Sequence, residues 1–263
     1  MNYTAIYFSP TGTSEKSVVS ITGELAEKAE RKDFRRVNLT TYAARETKVK
    51  FFENDFVVFG TPVYGGRIPK VAAQRLRNIS GKQTPCIVTV TYGNRDYDDA
   101  LLELADLVKS NGFVVQAAAA LVGQHTFGEI QVGRPNASDE KENQQFAKNF
   151  LEALKKVPCK GNAKLPIKGN RPYVEGGNGG TFRPHTDDTC TKCGLCVKNC
   201  PVGAIASDCS TINSKRCISC FRCIRCCPSQ SKNMNDANYI KFAKEFSQKL
   251  SVRRENEYFL PQK

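Results

Sequence analysis

The 263-residue chain has no tryptophan, two methionines and only two histidines, His125 and His185. It holds no run of 18 apolar residues, so no membrane-spanning helix is expected. No basic stretch followed by an apolar core opens the chain, so a secretory leader is not expected and a cytoplasmic location is. Two phosphate-binding signatures are missing as well. No G-x-x-x-x-G-K-S/T is present, which excludes a nucleoside-triphosphate loop. No G-x-G-x-x-G follows the first predicted strand, which excludes the dinucleotide fingerprint. Neither a nucleophile–base pair nor paired carboxylates suggest acid–base catalysis, and the two isolated histidines read as satisfied loop residues.

Cysteine, by contrast, is abundant, with 12 residues. Cys190, Cys193, Cys196 and Cys200 precede Pro201, and Cys217, Cys220, Cys223 and Cys227 precede Pro228. Each run reads C-x2-C-x2-C-x3-C-P. This spacing lets one tight turn present three soft thiolates to three corners of an iron–sulfur cubane, the fourth corner being filled from elsewhere. Structural zinc favours separated C-x2-C pairs over triplets, and disulfides need an oxidising compartment. The runs resemble those of bacterial two-cluster ferredoxins, in which the cysteine before proline ligates the other cluster. That resemblance assigns Cys190, Cys193, Cys196 and Cys227 to a first [4Fe–4S] cluster. Cys217, Cys220, Cys223 and Cys200 go to a second. Cys86, Cys159, Cys209 and Cys226 fall outside the scheme and read as incidental thiols, although Cys226 adjoins Cys227.

The formal charge is +13. Residues 158–263 hold 18 Lys and Arg against 8 Asp and Glu, so most of the excess surrounds the cysteine runs. Nucleic acid is one reading of a basic domain. Two clusters at about −2 each with their thiolates offset about four of these charges, which fits better and leaves a surplus suited to an acidic redox protein. No nucleic-acid partner is expected.

Residues 1–157 read differently. Apolar, partly β-branched strands are predicted at Thr4–Phe8, Phe34–Leu39, Phe56–Phe59, Cys86–Thr91 and Val114–Val122. Helices are predicted over Glu15–Lys28, Asp98–Lys109 and Asp139–Lys155, the last capped by Ser138. This alternation predicts an α/β fold with a five-stranded parallel, doubly wound sheet. Three loops follow strand ends, where such sheets bind ligands. Ser9-Pro10-Thr11-Gly12-Thr13-Ser14 offers hydroxyls and backbone N–H groups at a helix N-terminus, suited to a phosphate. Thr61–Pro69 and Tyr92–Asp98 set tyrosines beside glycines, suited to a flat ring.

The first of these loops resembles the S/T-x-T-G-x-T phosphate loop of flavodoxins, and the other two resemble the loops that sandwich the flavin there. Cys200-Pro201-Val202-Gly203-Ala204-Ile205 resembles the bacterial ferredoxin run. The whole chain is therefore similar to the fused flavodoxin–ferredoxin proteins of anaerobic bacteria. The resemblance implies a flavodoxin-like sheet of order 2-1-3-4-5 over residues 1–157, a linker over 158–181, and an α+β 2[4Fe–4S] ferredoxin domain over 182–263. It implies FMN, with Ser9, Thr11, Gly12, Thr13 and Ser14 at the phosphate. Pro62, Val63, Tyr64 and Gly65 would line one side of the ring, and Tyr92, Gly93, Asn94, Tyr97 and Asp98 the other. With no tryptophan, a tyrosine must supply any stacking, and a carboxylate such as Asp98 near the ring would disfavour a negatively charged reduced flavin. The second run continues Pro-Ser-Gln-Ser, a departure from the ferredoxin x-x-Ala-Ile.

Pro166, Pro172 and the cluster Gly176-Gly177-Asn178-Gly179-Gly180 mark the linker as flexible, with a loop lying against the flavin as the sharper alternative. A terminal helix is predicted over Asn238–Leu260, with Tyr239, Phe242, Phe246 and Leu250 on one side. The implied role is electron transfer between two clusters and FMN, linking one- and two-electron steps with other redox proteins. A flavin-dependent reductase of a small acceptor and a redox-responsive interaction module are the competing readings.

Overall fold

The computed structural model describes residues 1–157 and 161–261; Cys159 lies outside them. The first half runs β1 (Asn2–Tyr7), α1 (Thr13–Lys28), β2 (Arg35–Asn38), β3 (Val49–Phe51), β4 (Asp55–Pro62), α2 (Lys70–Leu76), β5 (Ile79–Gly81), β6 (Thr84–Tyr92), α3 (Ala100–Ser110), β7 (Phe113–Val122) and α4 (Ala137–Lys156). Five of these strands pair in parallel in the order β2-β1-β4-β6-β7. This is the 2-1-3-4-5 flavodoxin-like arrangement. The short β3 and β5 pair only with each other.

Because side chains alternate across a strand, each face of the sheet builds its own core. Val57 and Phe59 of β4 join Leu101, Leu104 and Val108 of α3 on one face. Phe56 and Val58 join Val18, Ile21 and Leu25 of α1 and Phe146 and Phe150 of α4 on the other. The cap of α4 is Asn136 and not Ser138: the Asn136 side chain accepts from the Ser138 and Asp139 backbone N–H groups, and Asp139 returns the bond to Asn136 N–H. The acid at the third helical position makes this reciprocal box possible, and Ser138 already sits at the second helical position, inside the helix.

The second half is sparse in regular structure, with β8 (His185–Thr186), α5 (Leu195–Asn199), α6 (Arg222–Arg225) and β9 (Lys232–Asn233) around the cysteine runs. The tail departs from the predicted single helix. Helix α7 (Ala237–Lys249) ends early, and β10 (Glu257–Phe259) returns to the first half to pair antiparallel with β7. The sheet therefore has six strands. The alternating, half-buried Glu257-Tyr258-Phe259 covers what would be an open edge. Asn94 fastens the return: its side chain donates to Leu250 O and Val252 O and accepts from Arg254 N–H.

Residues 161–181, expected as a linker, are irregular but lie along the first half. Asp99 accepts from the Asn170 and Val174 backbone N–H groups, and Asp106 accepts from Arg171 and from the Tyr173 hydroxyl. Gly177 N–H then donates to Tyr64 O, and Lys70 N–H donates to Gly177 O.

Candidate functional site

The carboxyl ends of β1, β4, β6 and β7 open on one cleft of about 180 Å³. Thr11, Thr13 and Ser14 line it from the first predicted loop, Pro62, Val63, Tyr64 and Gly65 from the second, and Tyr92 and Gly93 from the third. Gly12 stands at φ 88° at the head of the 16-residue α1, in the left-handed region that favours glycine. Ser9 braces this loop without lining the cleft: its N–H donates to Thr40 Oγ1 and its hydroxyl accepts from Glu15 N–H.

Asn94, Tyr97 and Asp98 are corrections, since none of them lines the cleft. Asn94 holds the C-terminal return, as described. Tyr97 is wholly buried in the core, and its hydroxyl donates to Glu257 at 2.7 Å. Asp98 pairs with Arg95 and packs against Gly66, where even a Cβ would lie 2.4 Å from its Oδ2. The turn that follows Tyr92 swings these three side chains away. The cleft lining thus holds no carboxylate, and no lysine or arginine either.

The cleft has three further walls, two of which escaped the sequence reading. One is the loop after β7, Gln124–Phe127. It leaves the same sheet edge as the other loops, and that topology is the signal that could have found it. The second is Gly179-Gly180 of the 161–181 segment, in line with the alternative reading of a loop lying against the flavin. A Cβ on Gly179 would lie 2.1 Å from Ile218 O, and one on Gly180 would lie 2.8 Å from the Phe127 ring. The third is Ile218-Ser219, the two residues between Cys217 and Cys220.

Phe127 continues from the cleft into a cluster with Phe182, Phe221, Tyr239 and Phe242, at ring separations of 5.1–6.3 Å. Here α7 docks its aromatic side, and the two halves are joined by apolar burial. His125 packs edge-on to Phe246 and fills the space beside Gly93. Its Nδ1 stands 2.8 Å from Phe127 N and 3.0 Å from Phe127 O, so the backbone of Phe127 fixes the ring.

Burial lowers the His125 pKa from 6.5 to about 4. The unfolded chain therefore binds a proton in a window where the folded one does not, and His125 costs stability as pH falls from 6.5 towards 4. The loss is up to about 3 kcal/mol, and His125→Gln will flatten that part of the Tm-against-pH curve. A wild-type slope retained in the variant would assign the effect to other groups.

The eight motif cysteines surround two further cavities. Cys190, Cys193, Cys196 and Cys227 line one, together with Cys209 and Lys232. Cys200, Cys217, Cys220 and Cys223 line the other. Each cavity thus gathers three thiols of one run and the pre-proline thiol of the other. No group of three or more ligating residues among those described is disposed around a single ion.

Burial pushes the Cys220 and Cys217 thiols up and Cys223 to about 12. Cys227 differs: burial raises it, but hydrogen bonds from Ser231 and Ser229 outweigh this and bring it to about 7. Ala204 N–H donates to Cys200 Sγ at 3.2 Å. Lys232, buried to 2%, brings an ammonium to the first cavity. Such a charge is acceptable there if the cavity holds an anionic group. Cys226 lines neither cavity, its thiol meeting Cys223 O at 3.6 Å, and Cys86 is sealed in the sheet core.

The cleft wall suits a ligand carrying hydrogen-bonding groups, such as a phosphorylated ring. The hydroxyls of Ser14 and Thr91, both in its wall, are buried without a hydrogen-bond partner, and a ligand would supply one. Tyr64 lines the cleft, and burial, then the Cys220 and Cys217 thiols, push its phenol upward.

Residues 185–206 match the 4Fe-4S binding domain family. An uncharacterised protein of Methanocaldococcus jannaschii is 28% identical over 124 residues, 44% of this chain and 83% of its own length. Among solved structures, the chain is similar to an archaeal flavodoxin (12% identity, TM-score 0.40, 59% of this chain and 99% of the other). It is also similar to flavodoxin 2 of Bacillus cereus (16%, TM-score 0.43, 58% and 99%). The strand order and the matched iron–sulfur segment define a redox protein of the electron-transfer class. Within that class the chain is a fusion of a flavodoxin-like half with a ferredoxin-type half.

Proposed function

We propose that the chain is an electron carrier that holds one FMN in the cleft and a [4Fe–4S] cluster in each cysteine cavity, and that electrons pass between these sites within one molecule. The observation that carries this reading is the shared wall: Ile218 and Ser219 line the cleft while their neighbours Cys217 and Cys220 line the second cavity. FMN exchanges one or two electrons and each cluster one, so together they link one- and two-electron chemistry.

The chain's own residues supply the rest. Thr11, Thr13, Ser14 and the first-turn N–H groups of α1 would hold the phosphate by hydrogen bonds and helix dipole, without a lysine or arginine. The loops at Val63-Tyr64 and Tyr92-Gly93 would flank the ring. Phe127 and Gly179-Gly180 would exclude water from the side facing the second cavity. Cys193 is exposed, which makes the first cavity the solvent-facing end of the path. The basic surplus around it suits redox proteins with acidic docking faces.

Anaerobically purified protein will contain about eight irons and one FMN per chain. Gly93→Ala will keep the iron but weaken FMN binding about tenfold or more, about 1.4 kcal/mol, read by flavin fluorescence titration of flavin-stripped protein. The reason is steric, since the new Cβ would stand 2.1 Å from His125 Cδ2. Four irons, or a preparation without flavin, would overturn this reading.

A further inference from the structure

Two arginines cross between the halves in opposite directions, and the electron-transfer reading gives neither of them a role. Arg75, on α2 of the first half, is only 3% exposed. Its guanidinium donates to Leu39 O, to Thr40 O and to Pro201 O, the residue after Cys200. Thr40 in turn receives Ser9 N–H of the phosphate loop at 2.8 Å. Arg222 lies between Cys220 and Cys223 in the second half. Its guanidinium donates to Pro10 O of the same phosphate loop at 2.9 Å and to Asn199 Oδ1, beside Cys200, at 2.9 Å.

Neither arginine forms a salt bridge with a carboxylate among the described residues. Both leave Nε buried without a partner. A buried guanidinium held only by neutral acceptors is costly unless a negative group stands nearby. The residues closest in sequence to both contacts are the thiols of the second cavity. Burial, reinforced by Arg45, lowers the Arg75 pKa only to about 10, so it remains charged at neutral pH.

We propose that Arg75 and Arg222 are reciprocal positioning residues: each half sends one guanidinium into the other, and the pair clamps the phosphate loop of the flavin cleft onto the second cysteine run. The same two charges favour the more negative, reduced form of whatever cluster Cys200, Cys217, Cys220 and Cys223 hold, and so raise its reduction potential. This rests on the electron-carrier reading for the charge effect, but the clamp itself is independent of it. Planarity matters as much as charge. A guanidinium fork reaches two acceptors at once, whereas a lysine ammonium carries the charge without the fork.

The test uses the full chain as wild type, Arg75→Lys, Arg75→Gln, Arg222→Lys and Arg222→Gln. Amide hydrogen exchange on residues 9–14 and 217–223 reads the clamp, and an EPR-monitored redox titration reads the cluster potentials. All four variants are expected to exchange faster in both segments than wild type. The glutamine variants will in addition shift one of the two cluster potentials downward, while the lysine variants restore it. Unchanged exchange in the Arg222 variants, or equal downward shifts of both clusters, would overturn the proposal. If Arg75→Gln fails to fold, Arg75→Lys and the Arg222 pair decide the question. A wild-type protein lacking iron or flavin would defeat the electron-carrier reading and the charge effect, while the exchange measurement would still decide the clamp.

Discussion

Cys200→Ala combined with Cys220→Ala will leave about four irons per chain, and Cys200→Ala combined with Cys193→Ala will leave about none. The two doubles differ only in which cavity the second cysteine belongs to. Cys200 follows the first run in sequence but lines the cavity of Cys217, Cys220 and Cys223. Removing Cys200 and Cys220 therefore damages one cluster twice and spares the other, whereas removing Cys200 and Cys193 damages both. If each run ligated its own cluster, the outcomes would be exchanged, so iron and sulfide analysis of the two proteins separates the schemes without spectral assignment. The experiment belongs in a Cys209→Ser background, because Cys209 also lines the first cavity and could replace a lost ligand there. Cys226 needs no such precaution, since its thiol lines neither cavity.

Three thiols in one turn and a fourth before proline are local facts of spacing, whereas the crossing came from the resemblance to two-cluster ferredoxins. The cavities group the thiols in that crossed way, three of one run with the pre-proline thiol of the other. The sheet was legible because strands buried on both faces read as unbroken apolar runs alternating with helices, while their order came from the resemblance to flavodoxins. What could not be read were contacts made over long separations by residues without a pattern. Asn94 reads as a loop residue at the rim of a ring site, yet it binds carbonyls at Leu250 and Val252. Tyr97 reads as a stacking aromatic, yet a turn buries it beneath Glu257. His125 reads as isolated because its partners, Gly93 and Phe246, lie far along the chain. The strand β10 was missed since three half-buried residues after a helix carry no periodicity, and only the exposed edge of β7 calls for them. The aromatic side of α7 was correctly seen, but its partner, Phe127, is placed by the fold.

Asp139→Ala will destabilise the protein by about 3–5 kcal/mol, the cost of leaving a buried charge unpaired. Arg134 and Asp139 form an ion pair with side chains only 3% and 2% exposed. At two to four degrees of Tm per kcal/mol for a chain of this size, the expected fall is about 10 °C. Asp139 also accepts from Asn136 N–H at 2.8 Å, so the box that starts α4 is lost with it. The effect will reach the C-terminal return, because Arg134 donates to Arg254 O at 3.0 Å, just before β10. Hydrogen exchange over 254–259 will therefore rise in the variant more than exchange in β1.

The pH dependence has a definite sign. Burial raises the Asp139 pKa, but Arg134 and Asn136 N–H outweigh it and hold the carboxyl below its ordinary 3.8. The pair's stabilisation is thus complete above 3.8 and is lost as pH falls through the lower folded value, a dependence that Asp139→Asn will remove. Replacing both partners, Arg134→Met with Asp139→Leu, will recover much of the loss, since an apolar pair leaves no charge to bury. A fall below about 1 kcal/mol in Asp139→Ala, in the range of a solvent-exposed pair, would show that water reaches Arg134 and that the return of β10 does not depend on it.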